Sequence, residues 1–300
     1  MTDDRDADMT AQATKAGQAP PSVITRFAPS PTGLLHLGHA WSAVLAHDLA
    51  AARGGHFLLR IEDIDGTRSR PEHVATILAD LAWLGLAHAP PVFQSARLSR
   101  YAAALERLKA TRLVYPCFCT RAEVAAASAS APHGTETIYP GTCRRLSRPD
   151  LDRPHCWRLD ASRALSRCSD PLQWHDASAG WTSADPLAQG DVILARKDAP
   201  ASYHLAVTVD DAAQGVTDVI RGVDLFAATD VHRLLQALLD LPTPRYHHHP
   251  LLTGPDGARL AKRHGSPTLA AMRAAGEDGL TVAHRLRARP LASGFAGISA

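Results

Sequence analysis

The stretch Phe27 to Val44, FAPSPTGLLHLGHAWSAV, sets two prolines, a glycine and two histidines between two apolar patterns. Upstream, SVITRFAP reads as a strand that stops at Pro29. Downstream, HLGHAWSAVLAHDLAAARGG carries Leu37, Trp41, Val44, Leu45 and Leu49 at helical spacing and closes on Gly54-Gly55. HFLLRIED follows as a second buried strand that ends in charge. The order β-α-β is the unit of a parallel, doubly wound sheet. Such a sheet takes ligands at the carboxyl ends of its strands. A helix N-terminus there offers free N–H groups and the positive end of a dipole, which suits phosphate. His36 and His39 are three apart and share one face of the first turn. Gly38 lies between them without a side chain, which lets a flat ligand such as a base ring approach the backbone. Taken alone, H-x-x-H also fits two incidental histidines at a helix start.

Further out, PEHVATILADLAWLGL and SRYAAALERLKATRL read as helices. From about residue 111 the rhythm is lost: the chain is rich in Pro, Ser, Arg and Cys, with short strand patterns at CWRLD and DVILARK. The regular pattern returns at YHLAVTVDD, VTDVIRG and the helix ATDVHRLLQALLDL. These shifts divide the chain into a tail (1–21), the first half of a doubly wound α/β domain (22–110), an insertion (111–200), the second half of that domain (201–245), and a loop with a short helical end (246–300). Ser266-Pro267 is the expected N-cap and N1 pair of the last helix.

The bulk numbers fit this. With 300 residues, 45% apolar and 21% charged, the chain can bury a real core. Net charge is +2 with sixteen histidines, which neither demands nor excludes nucleic acid. No apolar run approaches the ~18 residues of a membrane span. The tail is acidic and polar, without the apolar core of a secretory signal. A cytoplasmic protein with no membrane partner is the expectation.

Three of the five cysteines sit close together. YPCFCTRAEV gives Cys117-x-Cys119, and YPGTCR gives Tyr139-x3-Cys143. Three thiolates and a fourth ligand make a tetrahedral structural zinc site. Free buried cysteines are the plain alternative, and His133 is the physical rival of Tyr139 for the fourth place. Cys156 and Cys168 read as structural. In RYHHHP, alternation along a strand aims at most two of His247, His248 and His249 at one ion, so no metal is expected there.

RFAPSPTGLLHLGH resembles the first signature of class I aminoacyl-tRNA synthetases in its glutamate-type form. LLRIEDIDGTRSRPE, YHLAVTVDDAAQGVTDVIRGVDL and GARLAKR are similar to later blocks of that family, in the right order, from about residue 23 to about 270. The resemblance implies a class I, Rossmann-like sheet with a small zinc-bearing subdomain inserted. It also implies attack of the glutamate carboxylate on the α-phosphate of ATP, with Mg2+. That reaction needs positioning and charge neutralisation more than a protein base. By resemblance, His36, Gly38 and His39 meet ATP, and Lys262 neutralises the leaving pyrophosphate. Arg26, Phe27, Ala28, Pro29, Ser30, Glu62, Tyr203 and Arg221 form the glutamate pocket. Arg26 reads the side-chain carboxylate, Arg221 and Tyr203 complete the pocket, and Glu62 pairs the α-ammonium. An arginine left unpaired by the wrong substrate costs roughly 3–5 kcal/mol, which accounts for rejection of glutamine. The sequence departs from the second signature: Arg259 stands for its first lysine and Ala261 for its serine.

Fewer than forty residues follow Arg263. The expectation is therefore a catalytic core without an anticodon-binding domain. That form, with C-x-C…Y-x3-C and DDAAQGVT, resembles the branch of the family that activates glutamate without tRNA. The branch then esterifies it to queuosine, the modified wobble base of tRNA(Asp). The expected partners are L-glutamate, ATP and queuosine-containing tRNA(Asp), and a monomer is expected. Arg144, Arg145, Arg148, Arg153 and Arg158 could form a basic face for RNA or simply a solvated one. Two other readings stay open: a glutamate-adenylating enzyme with another acceptor, tRNA(Glu) included, and a non-catalytic paralogue that binds RNA or glutamate.

Overall fold

A computed structural model describes residues 22–129, 138–253 and 267–290. The expected β-α-β unit is present as β1 (Ile24–Phe27), α1 (Leu37–Ala52) and β2 (His56–Ile61). β1 and β2 run parallel, from Ile24 beside His56 to Phe27 beside Leu59. α1 buries Ala40, Trp41, Val44, Leu45 and Leu49 against the sheet, so the spacing that marks the helix also marks its packed face. The turn back into β2 is tight. A Cβ on Gly55 would sit 1.9 Å from the Val23 carbonyl oxygen, which is backbone and cannot yield.

α2 (Pro71–Trp83) begins with proline in its first turn, and β3 (Val92–Phe93) then adds parallel to β2. After α3 (Leu98–Ala110) the chain enters β4 (Val114–Cys117), α4 (Arg121–Ala129), β5 (Cys156–Leu159) and α5 (Ala161–Leu165). β6 (Gln173–Asp176) and β7 (Gly180–Ser183) form an antiparallel hairpin, and β8 (Ile193–Ala195) follows. β4, β5 and β8 make a separate antiparallel sheet.

α6 (Tyr203–Ala213), β9 (Asp218–Gly222), α7 (Ala228–Leu238) and β10 (Arg245–His249) restore the α/β alternation. β9 and β10 pair in parallel, and the second sheet has the order β7-β6-β10-β9. The edge strands β1 and β9 meet where the Thr217 N–H donates to the Ile24 carbonyl at 2.9 Å. The β6–β7 hairpin lies within the stretch read as an insertion, yet it extends the catalytic sheet through β10. QWHD is too short for its alternation to show which sheet it joins.

The chain closes with α8 (Leu269–Ala274) and α9 (Gly279–Arg287). The N-cap of α8 is Thr268, whose hydroxyl accepts from the Ala271 N–H at 3.2 Å. The cap expected at Ser266 therefore falls two residues later, because Thr268 offers the same hydroxyl nearer the first apolar position. Ser266 itself lies outside the described residues, as do His133, Arg259, Ala261, Lys262 and Arg263. Among the described residues, no helix is long and apolar enough to cross a membrane.

Candidate functional site

The carboxyl ends of β1, β2, β9 and β10 surround a cleft of about 560 Å³. Its walls are the Phe27–Gly33 loop, the first turn of α1, Glu62, Tyr203, Arg221 and the segment after His249. The cleft lies where a doubly wound sheet places a ligand.

The histidines build the mouth of α1. The Gly38 N–H donates to His36 Nδ1 at 3.1 Å, and the His36 N–H donates to His39 Nδ1 at 3.2 Å. This reciprocal pair is a capping box made from imidazoles instead of the usual hydroxyl and carboxylate. Because both Nδ1 atoms accept, the neutral ring proton sits on Nε2 of each. Each histidine therefore presents an N–H donor, and the rings stack at 3.8 Å between centroids. A Cβ on Gly38 would lie 2.9 Å from His36 Cε1. The space that glycine frees is thus used first by the cap itself.

The glutamate-type residues also gather here. Phe27, Ala28, Pro29 and Ser30 line the cleft, and the Glu62 N–H donates to the Pro29 carbonyl at 3.0 Å. Arg26 is 5% exposed. It is gripped from below: Nε donates to Asp211 Oδ1 at 3.0 Å and Nη2 to Asp211 Oδ2 at 3.2 Å. Arg60, fully buried, donates to the same Oδ1 at 2.8 Å and lies 3.6 Å from Glu62 Oε1. Burial alone would raise the Asp211 carboxyl, but Arg26 and Arg60 outweigh it and hold the group below its ordinary value. Glu62 goes the other way: burial pushes it up to about 7, and Arg60 and Arg26 offset this only in part. Among the described residues its buried Oε1 has no hydrogen-bond partner.

Arg221, at the end of β9, is held differently. Nε donates to His248 Nε2 at 3.0 Å, Nη2 to Thr229 Oγ1 at 2.6 Å, and Nη1 to Tyr203 Oη and His232 Nδ1, both at 3.3 Å. His248 Nδ1 donates to Asp176 Oδ2 at 2.8 Å. His247 meets Asp218 and His249 meets Ser42, so among the described residues the three histidines of β10 each meet a different side chain.

A second cleft of about 470 Å³ shares Ser30, Glu62 and Tyr203 with the first and reaches Tyr139 and Arg158 of the β4–β5 region. Behind that wall Cys117, Cys119 and Cys143 bring their sulfurs within 4.8 Å of one another. Tyr139 Oη lies 3.3 Å from Cys117 Sγ and 3.6 Å from Cys119 Sγ, and Cys119 and Cys143 are 3.6 Å apart. Four ligands at Zn–S distances of ~2.3 Å stand about 3.7 Å from one another in a tetrahedron, so the donor set and its spacing suit zinc. Cys156 lies beside this set: its thiol is hydrogen-bonded to the Cys117 side chain and reaches the Cys117 carbonyl at 3.4 Å. Arg158 is buried over the Tyr139 ring at 3.8 Å and donates to the Asp191 carbonyl. It therefore leaves the basic surface, on which Arg145, Arg148 and Arg153 remain exposed and Arg144 pairs with Asp191.

Residues 22–288 match the family of class I tRNA synthetases for E and Q, catalytic domain. The chain belongs to that family. As a class I synthetase catalytic domain, it is 49% identical over 270 residues to a glutamyl-Q tRNA(Asp) synthetase of Rhodobacter capsulatus, covering 85% of this chain and 96% of that one. It is 46% identical over 274 residues to the protein of that name from Symbiobacterium thermophilum, covering 87% and 84%. The crystal structure of a glutamate tRNA ligase from Elizabethkingia meningosepticum in complex with its amino acid superposes with a TM-score of 0.69 at 28% identity. That match covers 82% of this chain and 54% of the ligase, so the synthetase domain spans about half of that longer enzyme.

Sequence reasoning missed Arg60, Asp210, Asp211, His232 and His248. An arginine inside the apolar strand HFLLRI and two adjacent aspartates inside the apolar helix YHLAVTVDDAA were the available signals. A charge on a buried face needs a buried partner.

Proposed function

We propose that this enzyme activates L-glutamate with ATP, without needing tRNA, and transfers it to the queuosine base of tRNA(Asp). The observation that carries this reading is a single cleft lined both by Arg26 and Arg221 and by the imidazole capping box of His36 and His39. Two guanidiniums suit an acidic amino acid, and a helix mouth with imidazole donors suits a nucleotide phosphate. The names of the relatives at 46–49% identity support the choice of acceptor.

In the proposed reaction the α-carboxylate attacks the α-phosphate and pyrophosphate leaves. His36 and His39 donate from Nε2 to phosphate oxygens as charge builds up. Lys262 neutralises the leaving pyrophosphate. Arg26 and Arg221, with Tyr203, hold the side-chain carboxylate, and Glu62 in its ionised form pairs the α-ammonium. In the second step a hydroxyl of the cyclopentenediol attacks the mixed anhydride and AMP leaves. The second cleft adjoins Glu62 and Tyr203 and offers that acceptor an approach. Cys117, Cys119, Cys143 and Tyr139 would hold a zinc ion, which would brace the wall of this cleft.

Glutamate-dependent ATP–pyrophosphate exchange, run with and without tRNA, tests the first step. Labelled glutamate offered to tRNA(Asp) with and without queuosine tests the second. Exchange only with tRNA present would return the chain to an ordinary glutamyl-tRNA synthetase mechanism. Exchange without any queuosine-dependent transfer would leave a glutamate-adenylating enzyme with another acceptor.

A further inference from the structure

The two cleft arginines differ in what holds them. Arg26 is matched by a carboxylate on two of its nitrogens, so its charge is compensated inside the protein. Arg221 is equally buried, at 5% exposure, but among the described residues none of its hydrogen-bond partners is a carboxylate. Its guanidinium rests on a threonine hydroxyl, a tyrosine hydroxyl, two imidazoles and, at 5.2 Å, the face of Tyr246.

The two imidazoles must be neutral for this. A guanidinium only donates, so His248 Nε2 and His232 Nδ1 each present a lone pair to it. His248 then carries its proton on Nδ1, fixed by Asp176, and His232 carries its proton on Nε2, facing His204 Nδ1 at 3.2 Å. Burial favours the same state: it presses His248 and His204 down to about 4 and His232 well below its ordinary value. Neutral acceptors satisfy the N–H groups without cancelling the charge. The positive charge of Arg221 therefore stays available to a ligand in the cleft.

We propose that His232 and His248 are positioning residues that fix Arg221 while leaving its charge uncompensated, and that this reserved charge selects an anionic over an amide side chain in the substrate. The inference rests on the glutamate-activating reading above. A carboxylate ligand completes the only guanidinium of the pair that lacks one. A neutral amide of the same shape leaves a buried cation unmatched, so it is rejected for charge rather than size.

The test uses a pair of substitutions that differ only in charge. In His232→Asn the amide oxygen replaces Nδ1 as a neutral acceptor; in His232→Asp an oxygen in the same place brings a negative charge. Full-length enzyme is assayed by pyrophosphate exchange over a range of glutamate and glutamine concentrations, with thermal melting in parallel. His232→Asn is expected to keep KM for glutamate within about threefold. His232→Asp is expected to raise it tenfold or more over His232→Asn, with kcat changed less than threefold, and to narrow the preference for glutamate over glutamine. Equal KM values and equal preference for the two variants overturn the proposal. Should His232→Asp fail to fold, His248→Gln and His248→Ala ask the same question. Gln keeps a neutral acceptor near the Nε2 position and Ala keeps none, so KM should rise only in Ala; a rise in both, or in neither, overturns it. A wild-type enzyme without glutamate-dependent exchange defeats the functional reading instead, and the two failures are distinct.

Discussion

Asp211 holds Arg26 with both of its carboxylate oxygens, at 3.0 and 3.2 Å, and lends one of them to Arg60 at 2.8 Å. One carboxylate thus anchors two guanidiniums that are almost wholly removed from water. Replacing Asp211 by Asn keeps the shape and removes the charge. Two buried cations then face each other with one anion fewer. Breaking such a pair typically costs about 3–5 kcal/mol, and a loss of that order is expected in urea unfolding. The KM for glutamate should rise as well, because Arg26 loses its bidentate support. A stability loss below ~1 kcal/mol would remove Asp211 from this anchoring role.

Glu62 sits beside those arginines, yet its carboxyl is pushed up to about 7 by burial. The folded value lies above the unfolded one, so between about pH 4.5 and 7 the folded chain holds a proton that the unfolded chain has released. Stability from this group is therefore present at low pH and falls, by up to about 1.4 kcal/mol per pH unit, as pH rises through that window. Glu62→Gln should flatten this part of the stability profile. In the proposed reaction the same proton couples to the substrate, because an ammonium paired with Glu62 requires the ionised carboxylate. Glutamate binding near pH 6 should release close to one proton, read by calorimetry in buffers of different ionisation enthalpy. Wild type and Glu62→Gln releasing the same amount would sink the assignment.

The β-α-β start and the cleft-lining loop were legible because each lies within one short stretch whose pattern is physical, and the thiol cluster because its two motifs lie close in the chain. Helical spacing after Leu37 marked the packed face of α1, and C-x-C with Y-x3-C marked four donors that do converge. What escaped was long-range. Arg26 and Asp211 are 185 residues apart and His248 and Asp176 are 72 apart. Their pairing depends on how β1, α6, β6 and β10 dock, which no local pattern encodes. Arg158 illustrates the same limit: among surface arginines it read as basic surface, but alternation in β5 turns it inward onto Tyr139.

The thiol cluster separates ligands from bystanders. Cys119 faces both Tyr139 and Cys143, whereas Cys156 meets Cys117 alone of the three, at its thiol and at its carbonyl. Purified protein should carry about one zinc per chain by elemental analysis. Cys119→Ser should lose most of it, and Cys156→Ser should keep it. Tyr139→Phe removes only the oxygen, so a fall in zinc affinity with a lower Tm identifies that oxygen as the fourth donor. Loss of structural zinc should lower Tm by ~5 °C or more, since 1 kcal/mol moves a chain of this size by about 2–4 °C. Full zinc retention in Tyr139→Phe would pass the fourth place to another group, His133 being the candidate.

His39 has two jobs that chemistry can separate. Its Nδ1 accepts from the His36 N–H and closes the cap of α1, while in the proposed reaction its Nε2 carries the proton offered to the nucleotide. His39→Ala removes both, so it should cost about 1 kcal/mol of stability and lower the rate of pyrophosphate exchange by about 10²–10³-fold, the usual loss for one donor to a developing anion. His39→Asn places an amide oxygen where Nδ1 was and nothing where Nε2 was. It should recover the stability and leave the exchange rate low. His39→Gln places its amide near the Nε2 position, and should recover part of the rate without the cap. Lys262→Ala removes the charge proposed to act on pyrophosphate and should depress kcat by a similar factor, with the α1 cap and the melting temperature unchanged. If His39→Asn exchanges as fast as wild type, the histidine serves only as a cap, and charge neutralisation falls to His36 and Lys262.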